Sequence, residues 1–289
     1  MQNNLKIVFF GTPDFVVPVL DALIAQDYTL LAVVTQPDKM IGRKKLLNPS
    51  AVKVHAKKNN IPVLQPNTLR ETQFFEEFIT LKPDIAVVAG YGKIIPEKYL
   101  EVPKYGFLCV HPSLLPKYRG PSPIQGAILN GEKETGVSVI LIDKEMDHGP
   151  ILSIKKCELE PTVTLREADK KIWGLGAKLL TNTLTKYIDG NIKPQEQNHD
   201  QATFTKLLTR EDGHIDWSLS VEKIYNQIRA LNPEPGTWTV WKSKIINIKK
   251  AKLVDGKIHI QTIQMEGKKE MSFEEFIHGQ SGFEISQLT

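Results

Sequence analysis

The residues of this 289-residue chain that could do chemistry begin with a histidine set directly after an apolar run. His111 opens the segment His111-Pro-Ser-Leu-Leu-Pro-Lys-Tyr-Arg-Gly120, in which two prolines and a glycine restrict the backbone. An imidazole exchanges protons near neutral pH, so this position suits general acid or base work. Taken alone, it suits a loop hydrogen bond equally well. Asp147 lies in the turn Met146-Asp-His-Gly149. A carboxylate beside an imidazole fixes its orientation and stabilises its charged form, although aspartate and glycine are also ordinary turn residues. His55, His148, His214, His259 and His278 are scattered, and none forms a pair at metal-ligand spacing with Cys109 or Cys157. Gly11-Thr-Pro-Asp14 lacks the glycine spacing that a dinucleotide pyrophosphate requires, and there is no Walker-type loop. No metal or nucleotide cofactor is therefore expected. Two basic stretches remain. Lys39, Arg43, Lys44 and Lys45 surround Gly42, while Lys249 and Lys250 belong to a lysine-rich run from Lys242 to Lys257 that follows Trp238 and Trp241. Cations interleaved with aromatic rings suit phosphate contact and base stacking. Each run alone also reads as a solvated strand face.

The elements that must position these groups alternate. Leu5 to Phe10, Leu30 to Thr35, Ile61 to Leu64, Pro83 to Gly90 and Gly106 to Val110 are short apolar runs of the kind buried on both faces of a sheet. Helical periodicity covers Phe15 to Ala25, Ser50 to Asn60 and Leu69 to Leu81. Alternation of this kind predicts an α/β, doubly wound, mostly parallel sheet, with ligands outside the carboxyl ends of its strands. That rule selects Gly11 to Asp14, Ala89 to Lys93 and the segment from His111. Thr135 to Leu159 reads as two strands about a turn, and Thr164-Leu-Arg-Glu167 as a capping box opening a helix that ends near Ile188. Residues 191–206 are polar and weakly patterned, as a linker would be. Beyond them come a helix at Ser220 to Leu231 and strand-like runs at Thr237 to Trp241, Ile245 to Ala251 and Lys257 to Ile263. The expected division is thus a catalytic domain over 1–190, a linker over 191–206 and a small β-rich domain over 207–289.

Composition agrees with a folded, soluble chain. Hydrophobic residues make up 41% and charged residues 24%, which excludes disordered, collagen-like and coiled-coil classes. No apolar run approaches the roughly 20 residues of a membrane span. The amino end has no signal-peptide pattern, so a cytoplasmic protein is expected. The net charge of +4 neither demands nor excludes nucleic acid.

His111 to Gly120, followed by Asp147-His-Gly-Pro-Ile-Leu152, resembles the signature of the folate-dependent formyltransferases. Phe10 to Phe15, Thr35-Gln-Pro-Asp38, Gly42-Arg43, Asn48-Pro-Ser50, Gly120 to Gln125 and Glu134 to Val137 are similar to the branch of that family that acts on methionyl-tRNA. So are Ile215-Asp-Trp217 and Ile228 to Pro233 in the second domain. The resemblance implies a Rossmann-like formyltransferase domain followed by a smaller, open, OB-like β-barrel that contacts tRNA. It also implies transfer of a formyl group from 10-formyltetrahydrofolate to the amino group of initiator methionyl-tRNA, for translation initiation, by a monomer. By the same resemblance His111 stabilises the oxyanion and moves protons, and Asp147 orients it. Ser113, Leu114, Leu115 and Pro116 bind the folate, and Lys93, Ile94 and Ile95 with the backbone of 143–147 line the pterin pocket. Arg43 matches a family arginine that approaches the acceptor end of tRNA, and Lys44, Lys45, Lys249 and Lys250 of the two basic stretches are further candidates for tRNA contact. One position departs from the pattern: Cys109 stands where the family has an asparagine. A thiol is a weak donor, whereas an amide donates well to a developing oxyanion. Two alternatives follow. One is a formyltransferase for another amine, such as a nucleotide-linked amino sugar. The other is a weakened folate- and tRNA-binding homologue.

Overall fold

The structure, a computed structural model, describes residues 5–26, 28–41 and 46–279. In chain order its elements are β1 (Lys6–Gly11), α1 (Val17–Ile24), β2 (Thr29–Val34), β3 (Lys39–Ile41), β4 (Leu46–Asn48), α2 (Ala51–Lys58), β5 (Val63–Leu64) and α3 (Thr72–Leu81). These are followed by β6 (Ile85–Ala89), α4 (Glu97–Leu100), β7 (Phe107–His111), α5 (Pro123–Leu129), β8 (Glu134–Leu141), β9 (Ile151–Glu158) and α6 (Leu165–Ile188). The chain continues with α7 (Val221–Leu231), β10 (Thr237–Trp241), β11 (Lys244–Val254), β12 (Lys257–Met265), β13 (Glu270–Ser272) and α8 (Phe273–His278).

Two compact units share these elements, and each is drawn from several stretches of chain. The first comprises the chain up to Gly120, Gly136–Cys157 and Lys170–Phe204. Its seven-stranded sheet has the order β5-β2-β1-β6-β7-β8-β9. The pairs β5–β2, β2–β1, β1–β6 and β6–β7 are parallel, whereas β7–β8 is antiparallel. The apolar runs are buried because both faces of the sheet are covered. Phe10 of β1 meets the rings of Phe78, Tyr91 and Phe107 at 6.0, 5.4 and 5.6 Å, and burying each such ring stabilises the fold by roughly 1.5–3 kcal/mol. On the other face α6 lies so close that a Cβ at Gly176 would stand 2.8 Å from Val110 of β7. Glu167 accepts from the N–H and the hydroxyl of Thr164 at 2.9 and 2.7 Å, the reciprocal half of the expected capping box.

Residues 191–204 belong to this unit rather than forming a tether. Gln195 pairs antiparallel with Ile151, and Phe204 pairs parallel with Arg119. On either side of the basic loop Lys39, Met40 and Ile41 pair antiparallel with Asn48, Leu47 and Leu46. Gly42, Arg43, Lys44 and Lys45 lie outside the described residues.

The second unit gathers Pro121–Thr135, Glu158–Asp169 and the chain from Thr205. Its four-stranded antiparallel sheet runs β10-β11-β12-β13. Ile246, Ile248, Ile260 and Ile263 form a core with Ile224 and Ile228 of α7 and Phe276 of α8. Among the described residues β10 and β13 do not pair, so the sheet is open. Arg229 of α7 is buried and fastens the separate pieces. Its guanidinium donates to the carbonyls of Val163 and Ile128 at 2.9 and 3.4 Å and to Asn226 Oδ1. Burial lowers its pKa from the ordinary value. No described helix is long and apolar enough to cross a membrane.

Candidate active site

The three segments selected by the strand-end rule are neighbours in the sheet. Gly11 at the end of β1 pairs with Ala89 at the end of β6, and Val88 of β6 pairs with Cys109 of β7. Their loops are tied together as well: Thr12 Oγ1 and Gln36 Nε2 both donate to the Tyr91 carbonyl, at 3.3 and 2.8 Å.

His111 is the last residue of β7 and is only 4% exposed. Its Nε2 lies 2.9 Å from the carbonyl oxygen of Tyr118. A carbonyl only accepts, so the proton on that side belongs to Nε2. Nδ1 faces Asp147 Oδ1 at 3.4 Å, a contact looser than a formed hydrogen bond. The other carboxylate oxygen, Oδ2, accepts the Gly120 N–H at 2.7 Å. Asp147 has φ 52°, in the left-handed region that aspartate tolerates better than most residues. Two residues on, a Cβ at Gly149 would stand 1.9 Å from the Leu141 carbonyl oxygen, so this turn admits only glycine there. Imidazole and carboxylate, far apart in sequence, are thereby brought together with one ring nitrogen fixed by backbone.

Cys109 precedes His111 by two positions on β7, between Val88 and Ile140. Burial, and then the neighbouring Asp147 carboxylate, push its thiol well above the usual cysteine value. A thiol pushed in that direction ionises less readily, which disfavours a nucleophilic role.

The loop after His111 is held from within. Ser113 Oγ donates to the Lys117 carbonyl at 2.6 Å, while Ser138 Oγ of β8 donates to Ser113 O at 2.8 Å and accepts from Leu115 N at 3.1 Å. Ser113 and Leu115 are buried, so their side chains shape the loop. Lys93 donates Nζ to the carbonyls of Pro66 and Asn67 at 3.3 and 2.6 Å, and burial lowers its pKa. Ile95 is buried, whereas Ile94 is 81% exposed. Lys249 and Lys250 lie on β11 of the second unit, half-buried and exposed. Among the described residues there is no cluster of metal-ligating side chains.

Sequence reading missed the groups supplied by residues 195–204. Gln197 Nε2 donates to the carbonyls of Asp147 and Gly149, and its Oε1 accepts from Arg119. Arg119 Nη2 also lies 2.8 Å from His199 Nδ1, and the His199 ring stacks on His148 at 4.0 Å. Thr203 Oγ1 accepts the Tyr118 N–H at 2.8 Å.

A buried imidazole thus lies beside a carboxylate at the strand ends of a doubly wound sheet. The chain matches the family model "Formyl transferase" over residues 5–184 and that for "Formyl transferase, C-terminal domain" over residues 207–259. A methionyl-tRNA formyltransferase of Chloroflexus aurantiacus is 45% identical across 86% of this chain and 80% of its own length. One from Bacillus thuringiensis is 40% identical across 95% of this chain and 96% of its own. The chain belongs to the methionyl-tRNA formyltransferase family. Two solved structures share its fold. A Clostridium thermocellum methionyl-tRNA formyltransferase has a TM-score of 0.61 at 20% identity, covering 90% of this chain and 98% of its own. An N-formyltransferase of Helicobacter canadensis, in complex with folinic acid and dTDP-3-aminofucose, has a TM-score of 0.67 at 20% identity, covering 90% and 95%.

Proposed function

We propose that this protein carries a formyl group from 10-formyltetrahydrofolate to the amino group of methionine on initiator tRNA, the step that prepares this tRNA for translation initiation. The carrying observation is the His111–Asp147 contact inside a chain that is 40–45% identical to methionyl-tRNA formyltransferases. The folate supplies the formyl carbon, which the amine takes over as the bond to the folate nitrogen breaks. The amine must shed a proton and the departing nitrogen must gain one.

The chain's residues manage those protons. The Tyr118 carbonyl retains a proton on His111 Nε2, so the mobile proton is at Nδ1, on the side of Asp147 Oδ1. The Gly120 N–H holds Asp147 by Oδ2 and leaves Oδ1 to act. The neutral Cys109 thiol offers a weak donor to the formyl oxygen. Exposed apolar side chains fit a flat pterin: Ile94 after β6 and Met146 in the turn before Asp147. Ser113 to Pro116 give the folate a fixed backbone edge. Arg43, Lys44, Lys45, Lys249 and Lys250 contribute cations for the tRNA.

The test is formyl transfer by the purified protein from 10-formyltetrahydrofolate, offered methionyl initiator tRNA beside a nucleotide-linked amino sugar. Transfer to the tRNA alone is expected. Transfer to the sugar alone, or to neither, would overturn the assignment.

A further inference from the structure

Residues 195–204 carry no catalytic motif, yet they grip both members of the His111–Asp147 pair. Gln197 is 5% exposed, and every polar site of its amide is used. Its two N–H groups go to Asp147 O and Gly149 O at 2.9 and 2.8 Å. Its oxygen takes Arg119 Nε and Nη2 at 3.2 and 2.7 Å. An amide offers two donors and two lone pairs, so none is spare, and a flipped amide would set oxygen against oxygen. The Asp147 carbonyl so held belongs to the residue with left-handed φ. Thr203 grips the other member. It accepts the Tyr118 N–H on Oγ1 and the Arg119 N–H on its carbonyl, both at 2.8 Å. The Tyr118 carbonyl in turn accepts from His111.

We infer that Gln197 and Thr203 are positioning residues for formyl transfer: Gln197 sets Asp147, Thr203 sets His111 through Tyr118, and the segment joining them fixes the imidazole–carboxylate distance. The inference rests on the function proposed above. Both grips act on backbone rather than on the reacting side chains, so their loss displaces the pair without removing it. A displacement of about 1 Å in a reacting geometry costs on the order of 100-fold in rate.

Gln197→Glu keeps the acceptor for Arg119 but turns an oxygen toward the two carbonyls. Thr203→Val removes the acceptor for Tyr118 at an exposed position. For Gln197→Glu we expect kcat to fall about 10- to 100-fold, with KM for tRNA and folate little changed and the melting temperature lowered by the two carbonyls left without donors. In an Asp147→Asn background the same change should cost nothing further, because residues acting through one another are not additive. Unchanged kcat, or an equal loss in both backgrounds, would overturn the inference. If the wild type formylates no methionyl-tRNA, the proposed function fails. The positioning role is then decided by the ¹⁵N signals of the His111 ring. Gln197→Glu must move them as Asp147→Asn does, and unmoved signals reject it. If Gln197→Glu does not fold, Thr203→Val is decisive by the same kcat and His111 signals.

Discussion

The strand ends around His111 and the lysine-bearing sheet of the second unit place polar groups in opposite ways. At the strand ends His111, Ser113, Arg119 and Gln197 are all buried, and each has a short hydrogen bond to a particular atom. On the sheet Lys250, Lys252 and Lys257 are exposed, and the one buried residue between them, Ala251, is apolar. A buried polar group without its partner is costly, so the first region admits one arrangement and transmits any loss to its neighbours. Exposed cations act through their summed field, which salt screens and which no single residue dominates. On the proposed function, chemistry that needs fixed atoms and recognition that needs charge fall in regions that differ in burial.

Mutations can break or sharpen this contrast. The largest effect belongs to His111→Ala, which should lower kcat about 100- to 10,000-fold in single-turnover assays while KM for tRNA holds. A loss below tenfold would remove the imidazole from the chemistry. Cys109→Asn should act in the opposite direction. Restoring an amide donor beside the pair should raise kcat by about 100-fold, the usual worth of one preorganised oxyanion donor, and an unchanged rate would show that the thiol, or another donor, already suffices. Lys249→Ala and Lys250→Ala should each weaken tRNA binding only a few-fold and reduce the salt slope by about one. Equal loss at low and high salt would assign them a structural part instead. The smallest effect concerns acid stability. The Lys206 ammonium and the backbone N–H of Thr209 hold the Asp212 carboxyl below its ordinary value of 3.8. A depressed carboxylate stabilises the fold above its unfolded value, and that contribution is lost as pH falls through the folded one. Urea midpoints of wild type and Asp212→Asn should therefore differ slightly at pH 7 and converge below pH 3.8.

The parts legible in sequence were those that obey a period or a motif. β1, β2, β6 and β7 showed as continuous apolar runs because both their faces are buried, and α6 showed through Thr164 and Glu167. His111, at the end of an apolar run, and Asp147, in a turn, stand out only as candidates in sequence, and the resemblance to formyltransferases is what pairs them. The segment 191–206 resembles a linker in sequence for a physical reason. It is held by amides, hydroxyls and backbone, with Gln197 and Thr203 bonding to loops, and hydropathy carries no signal for that. The hairpin of β3 and β4 escaped because its strands are three residues each. α5 escaped because its Pro-Ile-Gln-Gly-Ala-Ile-Leu run is too short for helical periodicity to register.

The chain's weaving between the two units also sets a schedule for its birth. α5 buries Ile124, Ala127 and Ile128 in the unit that contains α7, and α7 ends only at Leu231. Ribosomes add about 5–20 residues per second, so α5 leaves the exit tunnel many seconds before its partner exists. The residues that grip the His111–Asp147 pair also emerge late, with Gln197 and Thr203 following every strand of the first unit. Until they are made, the nascent protein has all the strands of its first sheet, an uncovered apolar helix and an imidazole and carboxylate not yet gripped. If the positioning inference holds, a chain released before residue 204 would expose the apolar face of α5 and lack the contacts that set its imidazole and carboxylate.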